Sequence, residues 1–254
     1  MRDKIKDRQY FDKSITMFYE SIDRVTNWIE IGKTPFERIN HVKRSMIESY
    51  ISIFQCKYSA GFSIELIKAD LKKCIEKCQE SWDGFWLIEY QGKKINQYGL
   101  SGYDEMLWML SLAYLLNIDE ADFKKLVEVI DRDGVKDYLF EFIIRAKIKD
   151  REPIIEESYR EFFGVPQTFE KLREAIAETD KIKAEKLVKE FITKDWYKNH
   201  KDAGWYNSHK SKHDTYFGYW SFETAVVVKI MNLDDSSFID CQYYPKDLVH
   251  QKAV

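Results

Sequence analysis

Three of the chain's five histidines lie together, at His200, His209 and His213. His209 and His213 stand four residues apart, a spacing that on a helix puts two imidazoles on one face, as a zinc site needs. Asp202, Asp214 or Glu223 would supply the oxygen ligand, and a metal-dependent hydrolase is the chemistry such a set would serve. The pattern departs from the zincin signature, since Lys210 stands where that signature places Glu. The flanking Asn207-Ser208 and Lys210-Ser211-Lys212 read as a solvated loop, where histidines need no ligand role. Glu223 is the second suggestive residue. It falls in a strongly apolar helical stretch beside Trp220 and Phe222, where an unpaired buried carboxylate costs on the order of 2–5 kcal/mol. It therefore needs a partner among Tyr216, Tyr219, His213 or a lysine. No nucleophile or electrophile stands near it in sequence, so a hydrogen-bond anchor is favoured over a general base.

The aromatic pairs Trp196-Tyr197, Trp205-Tyr206, Tyr216-Phe217 and Tyr219-Trp220 alternate with Lys198, Lys201, Lys210 and Lys212. Such a stretch could stack nucleic-acid bases. Asp195, Asp202 and Asp214 offset the lysines, however, and rings filling the space between helices are the favoured reading. Three acidic clusters stand out: Asp119-Glu120-x-Asp122, Asp234-Asp235, and the run Glu152, Glu156, Glu157 and Glu161. The first two are placed to cap short helices and complement their dipoles. Cys74 and Cys78 lie one helical turn apart without a zinc-type CxxC pair, and the four cysteines read as reduced thiols.

The elements behind these residues are helical. Ten glycines and four prolines in 254 residues favour long helices over turn-rich β architecture, and no disulfide staple is needed at this size. A net charge of −3 argues against a nucleic-acid footprint, and none is expected. No apolar run approaches the ~20 residues of a membrane span. A polar N-terminus without a secretory core suggests a cytoplasmic protein.

Phe11, Ile15, Phe18, Ile22, Val25 and Ile29 form one apolar seam, which Gly32 ends. Thr34-Pro-Phe-Glu37 reads as a capping box with proline at the first helical position. The helix it opens turns Ile39, Val42, Met46, Tyr50, Ile53 and Phe54 inward, giving a helical hairpin. A third helix is predicted from Ser63 to Trp82. Residues 83–101 are the least helical, either a short strand pair around Gln91-Gly92 or a loop packed by its aromatics. Helices follow at Asp104–Leu116 and Asp119–Ile130, then one opened by Asp133 or Gly134. The charged segment after Lys149 reads as a short helix and a turn joining two halves, 1–130 and 131–254. Thr168 and Asp180 are predicted N-caps. Val226-Val227-Val228 lies in a buried helix, since its apolar register runs from Phe222 to Met231, longer than a typical strand.

The halves echo each other. Trp82 and Trp196, Gly102-Tyr103 and Gly218-Tyr219, and Asn117-Ile-Asp-Glu-x-x-Phe123 and Asn232-Leu-Asp-Asp-x-x-Phe238 recur in one order at an offset of about 115 residues. The expected fold is all-α, two pseudo-repeated helical units stacked as a short α-solenoid-like bundle.

The stretch Tyr216–Leu248 carries Gly-Tyr-Trp-Ser ahead of that buried helix, Asn-Leu-Asp-Asp after it, and Tyr-Tyr-Pro-x-Asp-Leu at its end. It resembles the C-terminal signature of PoNi proteins, the immunity partners of bacterial PoNe DNase toxins. The resemblance implies a protein that binds and silences a DNase toxin, with no catalytic machinery, no cofactor and no resident metal. Gly218, Tyr219, Trp220, Ser221, Glu223, Tyr244, Pro245, Asp247 and Leu248 match the signature and are expected to define the fold. Asp119, Glu120, Asp122, Glu156, Glu157, Trp205, Tyr206, Asp234 and Asp235 are the residues expected to meet the toxin. Carboxylates there would compete with DNA for the toxin's phosphate-binding cations.

Overall fold

The computed structural model describes residues 1–160 and 164–250. Helices α1 (Arg8–Glu30) and α2 (Ile39–Ala60) form the expected hairpin, and α3 (Ile64–Ser81) packs on the other side of α2. A buried ion pair locks the three together. Lys57 Nζ on α2 lies 2.5 Å from Asp70 on α3, and Tyr19 on α1 donates to the same carboxylate at 2.5 Å. The capping box does not form. Pro35 is extended and α2 is entered through a 3-10 turn, Phe36–Arg38, so Thr34 and Glu37 are out of register for reciprocal capping.

Strands β1 (Leu87–Tyr90) and β2 (Lys93–Tyr98) pair antiparallel across Gln91-Gly92, both left-handed as a two-residue hairpin turn requires. Helix α4 (Leu100–Leu115) starts four residues before Asp104, which leaves that aspartate buried inside the helix. Helix α5 (Glu120–Asp133) is capped by Asp119, whose carboxylate accepts from the Asp122 N–H. Asp133 and Gly134 close α5 rather than opening the next helix. Gly134 takes the left-handed cap, and Asp133 accepts from Tyr98 Oη at 2.8 Å. Asp137 instead caps α6 (Tyr138–Lys147).

No helix forms over residues 151–160. The segment is nevertheless fixed. Arg151 forks onto Asp131 and reaches Glu141, Gln97 donates to the Ser158 carbonyl at 2.6 Å, and Tyr159 Oη receives the Tyr98 N–H at 2.9 Å. Helices α7 (Gly164–Gln167) and α8 (Glu170–Ala177) follow, α8 entered through Phe169 rather than capped by Thr168. Asp180 does cap α9 (Lys181–Glu190), which runs through a π turn, Phe191–Asp195, into α10 (Trp196–Asn199). A long loop leads to α11 (Phe222–Met231) and the short α12 (Lys246–Val249).

The centre of the molecule is α4 packed on α11. Both are apolar all round, as helices enclosed on every side must be. Each ends at a left-handed asparagine, Asn117 or Asn232, and each is followed by an aspartate that accepts a nearby backbone N–H. Phe123 and Phe238 are both buried. The correspondence then ends, because α5 continues where residues 234–240 make only turns, so Asp234 and Asp235 open no helix. The fold is all-α apart from the small hairpin.

Asp137 ties α6 to α4 and α8. Its carboxylate accepts from two α6 amides, from Tyr103 Oη at 3.0 Å and from Arg173 at 2.9 Å. Asp137→Ala removes a helix cap and one anion of a buried pair, and chemical denaturation should show a loss of about 3 kcal/mol.

Candidate functional site

The signature residues gather where the two ends of the chain meet the C-terminal end of α2. Ser59 is the hub. Its backbone carbonyl accepts the amides of Arg2 and Asp3 at 2.9 and 3.0 Å, its hydroxyl donates to the Phe217 carbonyl at 2.8 Å, and Trp220 Nε1 donates to that hydroxyl at 2.8 Å. This close approach explains Gly218. Its φ is +108°, and a Cβ there would collide with Ser59 Oγ and sit 2.5 Å from Trp220 Nε1. Trp220 stands edge-on to Tyr58 at 4.9 Å.

Asp247 closes the joint from the C-terminal side by accepting from both Arg2 and Tyr58 Oη. Arg2 also donates to the carbonyls of Tyr58 and Phe62 and lies 4.4 Å over the Tyr58 ring. Tyr216 Oη donates to Asp3 at 2.5 Å. The Tyr-Tyr-Pro turn is held by Ser221 N–H to the Tyr243 carbonyl and by Tyr244 Oη to Asp235 at 2.7 Å. Pro245 precedes α12, and Leu248 is fully buried. A cleft of about 420 Å³ runs along this joint between residues 1–5 and 239–247.

Behind the joint lies a buried polar chain between α4, α10 and α11. Glu223, fully buried, accepts from Trp196 Nε1 and from Ser221 Oγ at 2.6 Å, and its Oε2 is left unpaired. His200 contacts the Trp196 carbonyl through Nδ1 at 2.5 Å and sits 3.5 Å from Asp104 through Nε2. Asp104 in turn receives the Trp205 indole at 2.9 Å. Burial pushes the Glu223 carboxyl up to about 7, against the pull of Ser221 and His200. For His200, burial works toward the neutral ring, but the Asp104 charge overcomes it and the imidazole is raised. Glu223 is thus the hydrogen-bond anchor expected, with tryptophan and serine as partners rather than tyrosine, His213 or lysine.

The histidine pair does not share a helical face. His209 lies in a 3-10 turn, Ser208–Lys210, with Nδ1 2.8 Å from Tyr219 Oη, whereas His213 is exposed in a bend. Among the described residues no group of three or more His, Cys, Asp or Glu is placed to hold a metal ion.

The acidic clusters are largely answered within the chain. Lys72 lies 2.5 Å from Asp119 and 3.1 Å from Asp122, Lys124 pairs with Glu120, and Lys125 with Asp122. Glu156 pairs with Arg160 and Glu157 with Arg173, while Glu161 lies outside the described residues. Asp235 is buried beneath Tyr244 and His250 and so is withdrawn from the surface where it was expected to meet a partner. Asp234 remains exposed. Trp205 is 9% exposed, its indole ring packed on Trp196, so only an edge of it reaches the surface. Tyr206 is half-buried against Tyr197.

Residues 2–128 match the family described as PoNe immunity protein (PoNi), N-terminal, and residues 135–248 match PoNe immunity proteins (PoNi), C-terminal. The chain belongs to the PoNi family. No curated protein and no solved structure matches it. Of the residues that carried the resemblance, Gly218, Trp220, Tyr244 and Asp247 contribute to the joint, and Ser221 and Glu223 to the buried chain behind it. Arg2, Tyr58 and Ser59 complete the joint from the N-terminal region, and Asp104 and His200 complete the chain. Sequence reasoning missed the roles of Arg2, Tyr58, Ser59 and Asp104 and singled out His200 only as one of three neighbouring histidines, because nothing in local spacing marks a residue whose partner lies far away in the chain.

Gly218→Ala should cost about 2–3 kcal/mol from the strained φ and the contact with Ser59. A urea titration checks it, with Gly164→Ala, in open space, as the neutral reference. The pH dependence follows from Glu223 and His200, both raised. A raised group binds its proton more tightly when folded, so its contribution is present at low pH and is lost as pH rises through the folded value. Glu223 should therefore lower stability between about pH 5 and 7, on the order of 2–3 kcal/mol, with His200 adding to the same fall above its ordinary range. Glu223→Gln should flatten that part of the melting-temperature profile.

Proposed function

We propose that this PoNi family protein binds a cognate PoNe-type DNase toxin and neutralises it, protecting the producing cell and its kin. The observation that carries the reading is the pair of family matches, which together take in 2–128 and 135–248 and so include both parts of the joint. The geometry supports action by fit rather than by reaction. The signature carboxylates Glu223 and Asp247 are spent on internal hydrogen bonds, and the histidine pair is split between a turn and a bend. No helix among the described residues is long and apolar enough to cross a membrane.

A protective inhibitor needs affinity near nanomolar, about −12 kcal/mol, and an interface of roughly 1,600 Å² in total. Stacked helices fixed by buried ion pairs lose little conformational entropy on docking, which suits that demand. Asp119, Glu120, Asp122, Glu156 and Asp234 stay at or near the surface as candidate contacts. The lysines and Arg160 beside most of them reduce the field they project, so steric occlusion of the toxin's DNA cleft is the mechanism favoured over long-range attraction.

Co-expression with a cognate PoNe-type nuclease toxin tests the reading. Cells carrying both should grow, and the His209→Ala/His213→Ala variant should protect equally well. Death of cells in which the folded protein is abundant would sink the immunity reading. Loss of protection confined to the double histidine variant would restore the hydrolase alternative.

A further inference from the structure

A cleft between α2, α4 and the loop after α10 contains two carboxyls, Glu48 and Glu105, that no cation among the described residues pairs. Glu48 and Ser52 stand one turn apart on α2, and Ser101, Glu105 and Trp108 share a face of α4. Trp205 and Phe217 come from the long loop and complete a cleft of about 270 Å³. Glu105 Oε2 is shut off from solvent and has no hydrogen-bond partner. Among the described residues neither Glu105 nor Glu48 forms an ion pair. Burial first, then the Glu48 charge, then Asp104 hold the Glu105 carboxyl well above the usual range. Glu48 is raised by burial too, against the opposing charges of His41 and Arg44, and Arg44 is itself engaged by Asp83 at 2.8 Å.

Most of the chain's other enclosed carboxylates do have a partner, and even Glu223, with one oxygen unpaired, accepts two hydrogen bonds through the other. Asp70 has Lys57, Asp137 has Arg173, Glu141 has Arg151 and Asp235 has Tyr244. Leaving an acid enclosed and unmatched costs free energy that an arriving cation recovers. The walls narrow the choice of cation. The Trp108 ring lies 6.1 Å from that of Trp205 and 6.0 Å from that of Phe217, giving aromatic surface beside the two acids, with the Ser52, Ser101 and Thr215 hydroxyls at hand as acceptors. A planar guanidinium that stacks on rings while donating several hydrogen bonds uses all of these features, whereas an ammonium uses only the charge.

We propose that this cleft seats an arginine side chain of the toxin, with Glu105 and Glu48 receiving its guanidinium. The proposal rests on the immunity reading and adds a point of attachment to it. A DNase needs cations to hold phosphates, and an arginine captured here is withdrawn from DNA.

The test is calorimetric titration with a catalytically silenced nuclease domain of a cognate PoNe-type toxin, at two salt concentrations. Glu105→Gln and Glu48→Gln should each weaken binding about tenfold or more and reduce its salt dependence, while Glu30→Gln, outside the cleft, should not. Both glutamine variants should melt at or above the wild-type temperature. Should Glu105→Gln melt lower, Glu48→Gln, at a residue that is exposed overall although its carboxyl is partly desolvated, decides alone. Tight wild-type binding that all three substitutions leave unchanged would overturn the arginine seat and leave the immunity reading standing. Absence of wild-type binding would remove both.

Discussion

The architecture depends on satisfying the C-terminal end of α2. Ser59 has no exposure, yet it presents a carbonyl and a hydroxyl that must be hydrogen-bonded or cost on the order of 1–3 kcal/mol each. The chain meets this requirement with segments far apart in sequence. Arg2 and Asp3 arrive from one end, and Phe217, Trp220 and, through Tyr58, Asp247 arrive from the other. The signature glycine follows directly, because only a residue without Cβ lets the 217–220 backbone come that close. The joint is therefore long-range by construction. The Arg2 and Asp3 amides and the Trp220 indole reach their partner on Ser59 only once α2 and the long loop have come together.

That constraint separates what was legible in the sequence from what was not. The α1 seam, the α3 span and the burial of α11 were readable, since an apolar period reports directly on which face of a helix is covered. The Asp180 cap was readable for a similar reason, as it acts on amides two and three residues away. The Thr34 box looked equally local and failed, because the first turn of α2 winds as a 3-10 helix and shifts the register. Asp133-Gly134 looked like a start and is a stop, because glycine's left-handed freedom serves a C-cap better than an N-terminus. The pairs Ser59–Gly218, Asp104–Trp205 and Glu223–Trp196 had no sequence signal at all. Only for Glu223 did the type of residue, an acid in an apolar helix, show that some partner was required.

The same logic bears on the surface. Most of the acidic residues that looked available to a partner are paired internally or buried, and the aromatic loop is mostly core. An unmatched carboxyl, Glu105, lies instead in the cleft beside α4, formed by three segments remote in sequence. A charge cluster in a sequence reports composition. The field a partner meets depends on which cations fold back beside it.

We propose that this chain works by occupying another macromolecule, without turnover. Titrating the purified protein into a DNA-cleavage assay of the cognate nuclease domain at fixed concentration tests it most directly. Cleavage should fall linearly and vanish near one equivalent. Complete loss of cleavage at a small fraction of an equivalent, or full cleavage at large excess, would contradict it.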